Sequence, residues 1–428
     1  MVLLFLATML LTVLCAQMVL SETVKLTMAH WMFPRSAAYK EGIEEAIASF
    51  RAKYPNVEIE LLVPGTSNDP FIQGIKTWYV AGNSPDIIGV DAVKMQSFWP
   101  DGILLDLNPF IEKDPSFRFN MIYPWTWEGM VFNGKRYGVP REVYHRELFL
   151  NNDLFAEGGV SIPSNDWTWN EFVDYARKLT RDTDGDATPD IWGWQSAYTN
   201  LYFLHAWGGS FYIDNGRKVG LLMPEAIEAF EQLLALEREM RVAPTAAQEK
   251  AAGGTTAMTQ NSKIAIFHAD IYSIPSNTYS FDYTLRLFPI AKQRAVSSFV
   301  NGFGISSASK HPELAWAFLS HLLSADVLYE TFVKRDYVSP FHDVNSRGIF
   351  PSSNDKIRQQ IMFGLNATTV NEHGELVIGP MENATMVRNE LNTTIREGKE
   401  PVRQVMERLM PVLQANLDEF RSSYFVNP

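Results

Sequence analysis

The chain has 428 residues, beyond the length at which one hydrophobic core stops growing, so two lobes or domains are expected. Hydrophobic residues make up 46%, aromatics 13% and charged residues 20%, which excludes a disordered chain. The formal net charge of -12 weighs against a nucleic-acid partner and favours solubility.

Met1 to Leu20 is an apolar run without an acidic or basic side chain, followed by Ser21-Glu22-Thr23. Residues 1–21 read as a secretory signal, with the mature start near Glu22. An uncleaved membrane anchor is the alternative, because only the α-amino group supplies positive charge. The single cysteine, Cys15, lies inside this run, and bulky Leu14 before it disfavours a lipid-anchored start. Cleavage near Glu22 leaves a chain with no thiol, disulfide or cysteine metal site.

Thr23 to Met28 alternates as a half-buried strand, and Ala38 to Tyr54 carries apolar residues at helical spacing up to Pro55. Val57 to Leu62 alternates again, and Ser84 to Asp91 is a turn running into a short buried strand, so the order is that of an α/β protein. Asn133-Gly134 between two strand-like runs predicts a hairpin, with Pro140 soon after. A strand is expected over Glu147–Asn151, and a helix over Trp169–Thr180 capped by Thr168 or Asn170. Further helical runs cover Pro224–Met240, Pro312–Leu323 and Pro401–Phe420, and no repeat period is visible.

Just after the expected Trp169–Thr180 helix lies Asp182-Thr183-Asp184-Gly185-Asp186-Ala187-Thr188-Pro189-Asp190, an oxygen-rich loop. Asp182, Asp184 and Asp186 match the first, third and fifth ligand positions of a calcium loop, the Thr188 carbonyl the seventh and Asp190 the ninth. Gly193 stands where the bidentate acid belongs, and Ala187 where a glycine does. A structural calcium ion and a metal-free turn therefore both fit, while a sensor, which needs a helix pair to move, does not. No other cofactor is required.

Four stretches, in order, resemble the family-one extracellular solute-binding proteins of ATP-driven importers, the group that includes maltose-type sugar-binding proteins. They are Gly82-Asn83-Ser84-Pro85-Asp86-Ile87-Ile88 with Gly102-Ile103-Leu104-Leu105-Asp106-Leu107; Tyr137-Gly138-Val139-Pro140 leading to Leu150-Asn151-Asn152-Asp153-Leu154-Phe155; Asn301-Gly302-Phe303-Gly304-Ile305; and Ser309 to Trp316. The resemblance implies an α/β, two-lobed periplasmic-binding-protein fold with a hinge and a ligand cleft between the lobes. Residues 22–139 plus 304–344 would form one lobe and 140–303 plus 345–428 the other, closing about the hinge. It implies a monomer outside the cytoplasmic membrane that delivers a sugar or oligosaccharide to the permease subunits of an ABC importer.

A secreted glycoside hydrolase is the competing class, but no local motif selects two acids, and no Gly-x-Ser-x-Gly, P-loop or His-Glu-x-x-His pattern occurs. A carbohydrate-binding surface protein would use aromatics without needing two lobes. Asn366, Asn383 and Asn392 each open an Asn-x-Thr sequon, read as chance in a bacterial protein.

A sugar cleft wants aromatic platforms beside carboxylates and amides. By position in the family, the ligand-binding candidates are Trp31 and Asp91 from the first lobe, Glu142 and Tyr144 at the crossing segment, Trp207 and Tyr272 from the second lobe, and Asn301 at the return crossing. Trp194 is a reserve. The alternatives are a core aromatic beside Phe33 for Trp31, a helix N-cap for Asp91, and a salt bridge with Arg141 or Arg146 for Glu142. Tyr272 stands where the family often has Trp, and Asn301 precedes a single glycine instead of following a pair.

Overall fold

The computed structural model describes residues 23–195, 203–270, 279–348, 355–367, 370–371 and 379–424. The signal region and Tyr272 lie outside the described residues. No helix among the described residues is long and apolar enough to cross a membrane.

The chain opens with β1 (Val24–Ala29), α1 (Ala37–Arg51), β2 (Val57–Leu62), α2 (Asn68–Val80), β3 (Ile87–Val90) and α3 (Ala92–Phe98). Ser36 caps α1 by accepting from the Tyr39 N–H, and the helix buries Tyr39, Gly42, Ile43, Ala46 and Phe50, the one-face spacing that its sequence predicted. β1 pairs in parallel with β2 and with β3, as strands joined by helical crossovers must. The Asn133-Gly134 pair has φ of 48° and 73° and joins strands Val131–Phe132 and Lys135–Arg136, as the hairpin reading required.

The long strand β4 (Val139–Asn151) then carries the chain from one sheet to the other. Its first half pairs antiparallel with β8 (Ser297–Ile305), which in turn pairs with β3. Its second half lies between β6 (Ile264–Asp270) and β7 (Tyr283–Arg286), with β5 (Trp192–Trp194) beyond β6. Sequence pattern placed a strand only at Glu147–Asn151. The earlier part was hidden because Arg141, Glu142, His145 and Glu147 break every apolar alternation, although all four are buried.

Against β5 and β6 packs α4 (Trp169–Leu179), whose Thr168 cap and Glu171 side chain satisfy each other's backbone N–H groups. Trp169, Phe172, Val173, Ala176 and Leu179 give it a single buried stripe. Later helices α5 (Pro312–Leu322), α6 (Asp355–Ala367) and α7 (Val402–Tyr424) complete the layers.

The apolar interior divides in two at β4. Leu26, Ile43, Ile88, Phe303 and Phe332 belong to one cluster, and Phe172, Trp194, Phe230, Ile266 and Leu413 to the other. Within β4, Phe149 faces the first cluster while Leu148 and Leu150 face the second, the two-residue alternation of a strand buried on both sides. The first cluster continues over that face of the second sheet through Phe267 and Leu285 to Ile361 and Leu365 of α6.

The crossing strands approach closely. A side chain at Gly302 would place its Cβ 2.0 Å from the Val139 carbonyl oxygen, so only glycine fits beside β4 there. The pairing register shifts at this point, between Asn301 and Gly302.

Candidate functional site

Parallel strands β1, β2 and β3 all end at one edge of the first sheet, the edge beyond which open α/β sheets hold their ligands. Gly302 lies opposite Val90, and Asn301 opposite Glu142, so the two crossing strands bring an amide and a carboxylate to the row just beyond β3. Asp91 follows β3 in that row, and His30-Trp31 follow β1.

Trp31 is 5% exposed and its ring carries Lys94 Nζ 3.6 Å from its centroid. Its other neighbours are the His30 ring, stacked at 3.9 Å, and Phe71, edge-on at 5.5 Å. Asp91 caps α3: Oδ1 accepts from the Lys94 backbone N–H at 2.9 Å and Oδ2 from Lys94 Nζ at 2.6 Å. Both alternatives weighed for these two residues, core aromatic and helix cap, are thus realised. Burial pulls the Lys94 pKa down, and the Asp91 carboxylate acts against it.

Glu142 is 1% exposed. One carboxylate oxygen accepts from Asn301 Nδ2 at 2.8 Å, and the other meets the Arg141 guanidinium as an ion pair. Arg141, which sequence reasoning did not select, is enclosed by aromatic rings, its Cζ 4.2 Å from the Phe332 centroid and 4.4 Å from that of Tyr39. The available signal was the density of charge in a strand with no turn residue: such a strand is buried on both faces only if its charges are paired. Tyr144 packs against Phe299, its cross-strand partner, with centroids 5.0 Å apart.

His30 is fully buried, and burial, then the Arg141 and Lys94 charges, hold its pKa well below the ordinary histidine value. Its Nδ1 accepts from the Met32 N–H at 3.0 Å, which assigns the proton to Nε2, 2.9 Å from the Tyr39 hydroxyl.

Trp207 is placed elsewhere. It is 3% exposed in the second core, with its ring 4.8 Å from Trp169 and edge-on to it, so it presents no free face to a ligand. The Gly208-Gly209 that follows made it look like a loop residue, whereas it closes a buried turn. Trp194 is likewise core, at 2% exposure in β5. The structure therefore gathers Trp31, Asp91, Glu142 and Asn301 at one sheet edge, with Tyr144 two residues further along β4.

The acidic loop projects from the second lobe between the paired residues Arg181 and Ile191. Oxygens of Asp182, Asp184 and Asp190 come within 4.8 Å of one another, and the Asp186 carboxylate is not among them. Asp182 accepts from the N–H groups of Gly185 and Ala187, at 2.7 and 2.9 Å, and Asp190 from Thr183. These donors hold both carboxyl pKa values below the ordinary range. Ala187 takes the left-handed conformation, φ 71°, in which the loop would favour glycine. Three converging carboxylates suit an oxygen-binding cation, and the same loop is closed by its own backbone without one.

Residues 33–328 match the family described as bacterial extracellular solute-binding protein, and the chain belongs to it. An arabinooligosaccharide-binding protein of Halalkalibacterium halodurans is 23% identical over 210 residues, 47% of this chain and 44% of that protein. A galactooligosaccharide-binding protein of Bacillus subtilis is 24% identical over 190 residues, 44% of this chain and 40% of that one. The chain thus spans less than half the length of these curated relatives. Among solved structures, an ABC substrate-binding protein from Listeria monocytogenes, in complex with cycloalternan, superposes with a TM-score of 0.76 at 19% identity, covering 95% of this chain and 100% of that one. At that identity the likeness establishes the two-lobed fold alone.

Proposed function

We propose that this chain captures an oligosaccharide outside the cytoplasmic membrane by hinge closure and delivers it, chemically unchanged, to the permease subunits of an ABC importer. It acts as a monomer, and nucleic acid is not a partner. The observation that carries the reading is the pair of crossing strands, β4 and β8, which lie at the centre of the strand path, beside the ends of the parallel strands, with an apolar cluster on either side of β4. Names of the family's relatives support a sugar as the solute.

In this reading the lobes are residues 22–139 plus 304–344 and residues 140–303 plus 345–428, with Phe267 of β6, Leu285 of β7 and Ile361 and Leu365 of α6 reaching from the second into the first core. Trp31, Asp91, Glu142, Tyr144 and Asn301 form the cleft floor, and Tyr272 contributes from the second lobe. Trp207 supports that lobe from within. The calcium reading is carried forward for Asp182, Asp184 and Asp190 alone.

A thermal-shift screen of the mature chain against a glycan and polyol library tests the proposal. A ligand at a hundred times its dissociation constant adds about 2.7 kcal/mol of stability. A glycan that stabilises the chain and is recovered intact is the expected result; turnover of the glycan contradicts it.

A further inference from the structure

A groove of about 540 Å³ opens between the lobes beside α2 and α3. Asp69 and Gln73 of α2 and Gln96 of α3 line one wall. Glu382, in the helix Met381–Glu390, and Glu419 and Phe420 of α7 line the other. The α7 wall belongs to the second core, through Leu409, Leu413 and Leu417. At the groove's margin Gln96 Nε2 donates to the Gly379 carbonyl, so the lobes touch there.

Helix α2 borders both the groove and the row at the end of the first sheet. Ile72, which also lines it, is next in α2 to Phe71, the residue packed edge-on to Trp31. Its chemistry is that of a surface for hydroxyl groups: three carboxylates and three amides, Gln73, Gln96 and Asn416, accept and donate around Ile72 and Phe420. Lys76, the one cation on its lining, is held by Asp101 at 2.7 Å.

We propose that this groove seats the outer units of an uncharged oligosaccharide whose inner units occupy the cleft floor, and that its carboxylates turn away anionic glycans. The inference rests on the carbohydrate reading above. Like-signed charge across a contact costs affinity, so Asp69, Glu382 and Glu419 penalise a carboxylate or phosphate on the ligand. Because the groove has a wall on each lobe, every unit bound in it adds preference for the closed state.

Calorimetric titration of the mature chain with β-galacto-oligosaccharides and arabino-oligosaccharides of two to five units, and with their aldonic-acid forms, tests it. For at least one neutral series, affinity should rise about tenfold or more between two and four units, a change of about 1.4 kcal/mol. The aldonates should bind more weakly than the neutral compounds. Glu419→Lys combined with Asp69→Lys, both on exposed side chains, should abolish the gain with length and narrow the aldonate penalty while leaving the two-unit affinity within about twofold. Gln73→Trp, which fills the groove from an exposed position, should also abolish the gain. Equal loss at every length, or a length gain that survives both variants, would overturn the groove assignment. If short glycans bind with no dependence on length, the groove assignment alone fails; if no glycan binds the unaltered chain, the carbohydrate reading fails and takes the groove with it.

Discussion

Glu142 shows how one buried carboxylate can serve both hinge and cleft. It ties β4 to β8 through Asn301 and neutralises Arg141, which has no water to solvate it. Glu142→Ala leaves that guanidinium buried and unpaired, and we expect a loss of about 3–5 kcal/mol in denaturant unfolding. A loss under about 1 kcal/mol would mean that solvent reaches Arg141. The sequence offered Glu142 as a ligand contact or as the partner of Arg141 or Arg146, and the pair with Arg141 is realised at 1% exposure. Hydrophobic patterning cannot foresee a charge that is buried because its partner sits in the adjacent position. His30 adds a pH dependence. Its folded pKa lies below its unfolded value, so the neutral form stabilises the fold above about pH 6.5, and stability falls as pH drops through that value toward the folded pKa. Each such histidine contributes at most about 1.4 kcal/mol per pH unit, and His268, also held low by burial, acts in the same direction. The melting temperature should therefore fall between pH 7 and pH 5, and His30→Gln should flatten the slope; an unchanged slope would assign the effect elsewhere.

At the scale of elements, local chemistry was the most legible part of the chain. The Thr168 cap, the Asn133-Gly134 hairpin and the stripe of α4 were all visible because each depends on residues within one or two turns. β4 was cut short in the reading because its first half owes its existence to β8, some 150 residues away, and not to its own alternation. Trp207 was misplaced for a related reason: a Gly pair marks a turn but does not say which side of it is wet. The acidic loop was read as fitting a structural calcium ion or a metal-free turn alike, and the convergence of Asp182, Asp184 and Asp190 agrees with both. If calcium binds there, adding it should raise the melting temperature and a chelator should reverse the rise, with glycan affinity nearly unchanged, because the loop supplies no residue to the cleft floor. A melting temperature indifferent to millimolar calcium would leave the loop a self-closed turn, and a large loss of glycan affinity on chelation would contradict its placement.

For the whole molecule, the order of motifs was more informative than any one of them. Gly-Val-Pro and Pro-Asp before a strand are common, yet their succession along the chain implied a two-lobed α/β fold with crossing segments, and β4 and β8 are those segments at the centre of one nine-stranded path. Ligand contacts are the least legible part of such a chain, because a sugar cleft is assembled from loops whose residues meet only when the lobes do. The lobes here meet through Gln96 and Gly379. A hinge of this kind binds tightly only if the ligand has contacts on both sides. Small-angle scattering of the mature chain, alone and saturated with the best glycan from the thermal screen, tests this most directly. The account predicts a monomer whose radius of gyration falls on binding as the lobes close; a monomer whose scattering curve is unchanged at saturating ligand would contradict capture by closure.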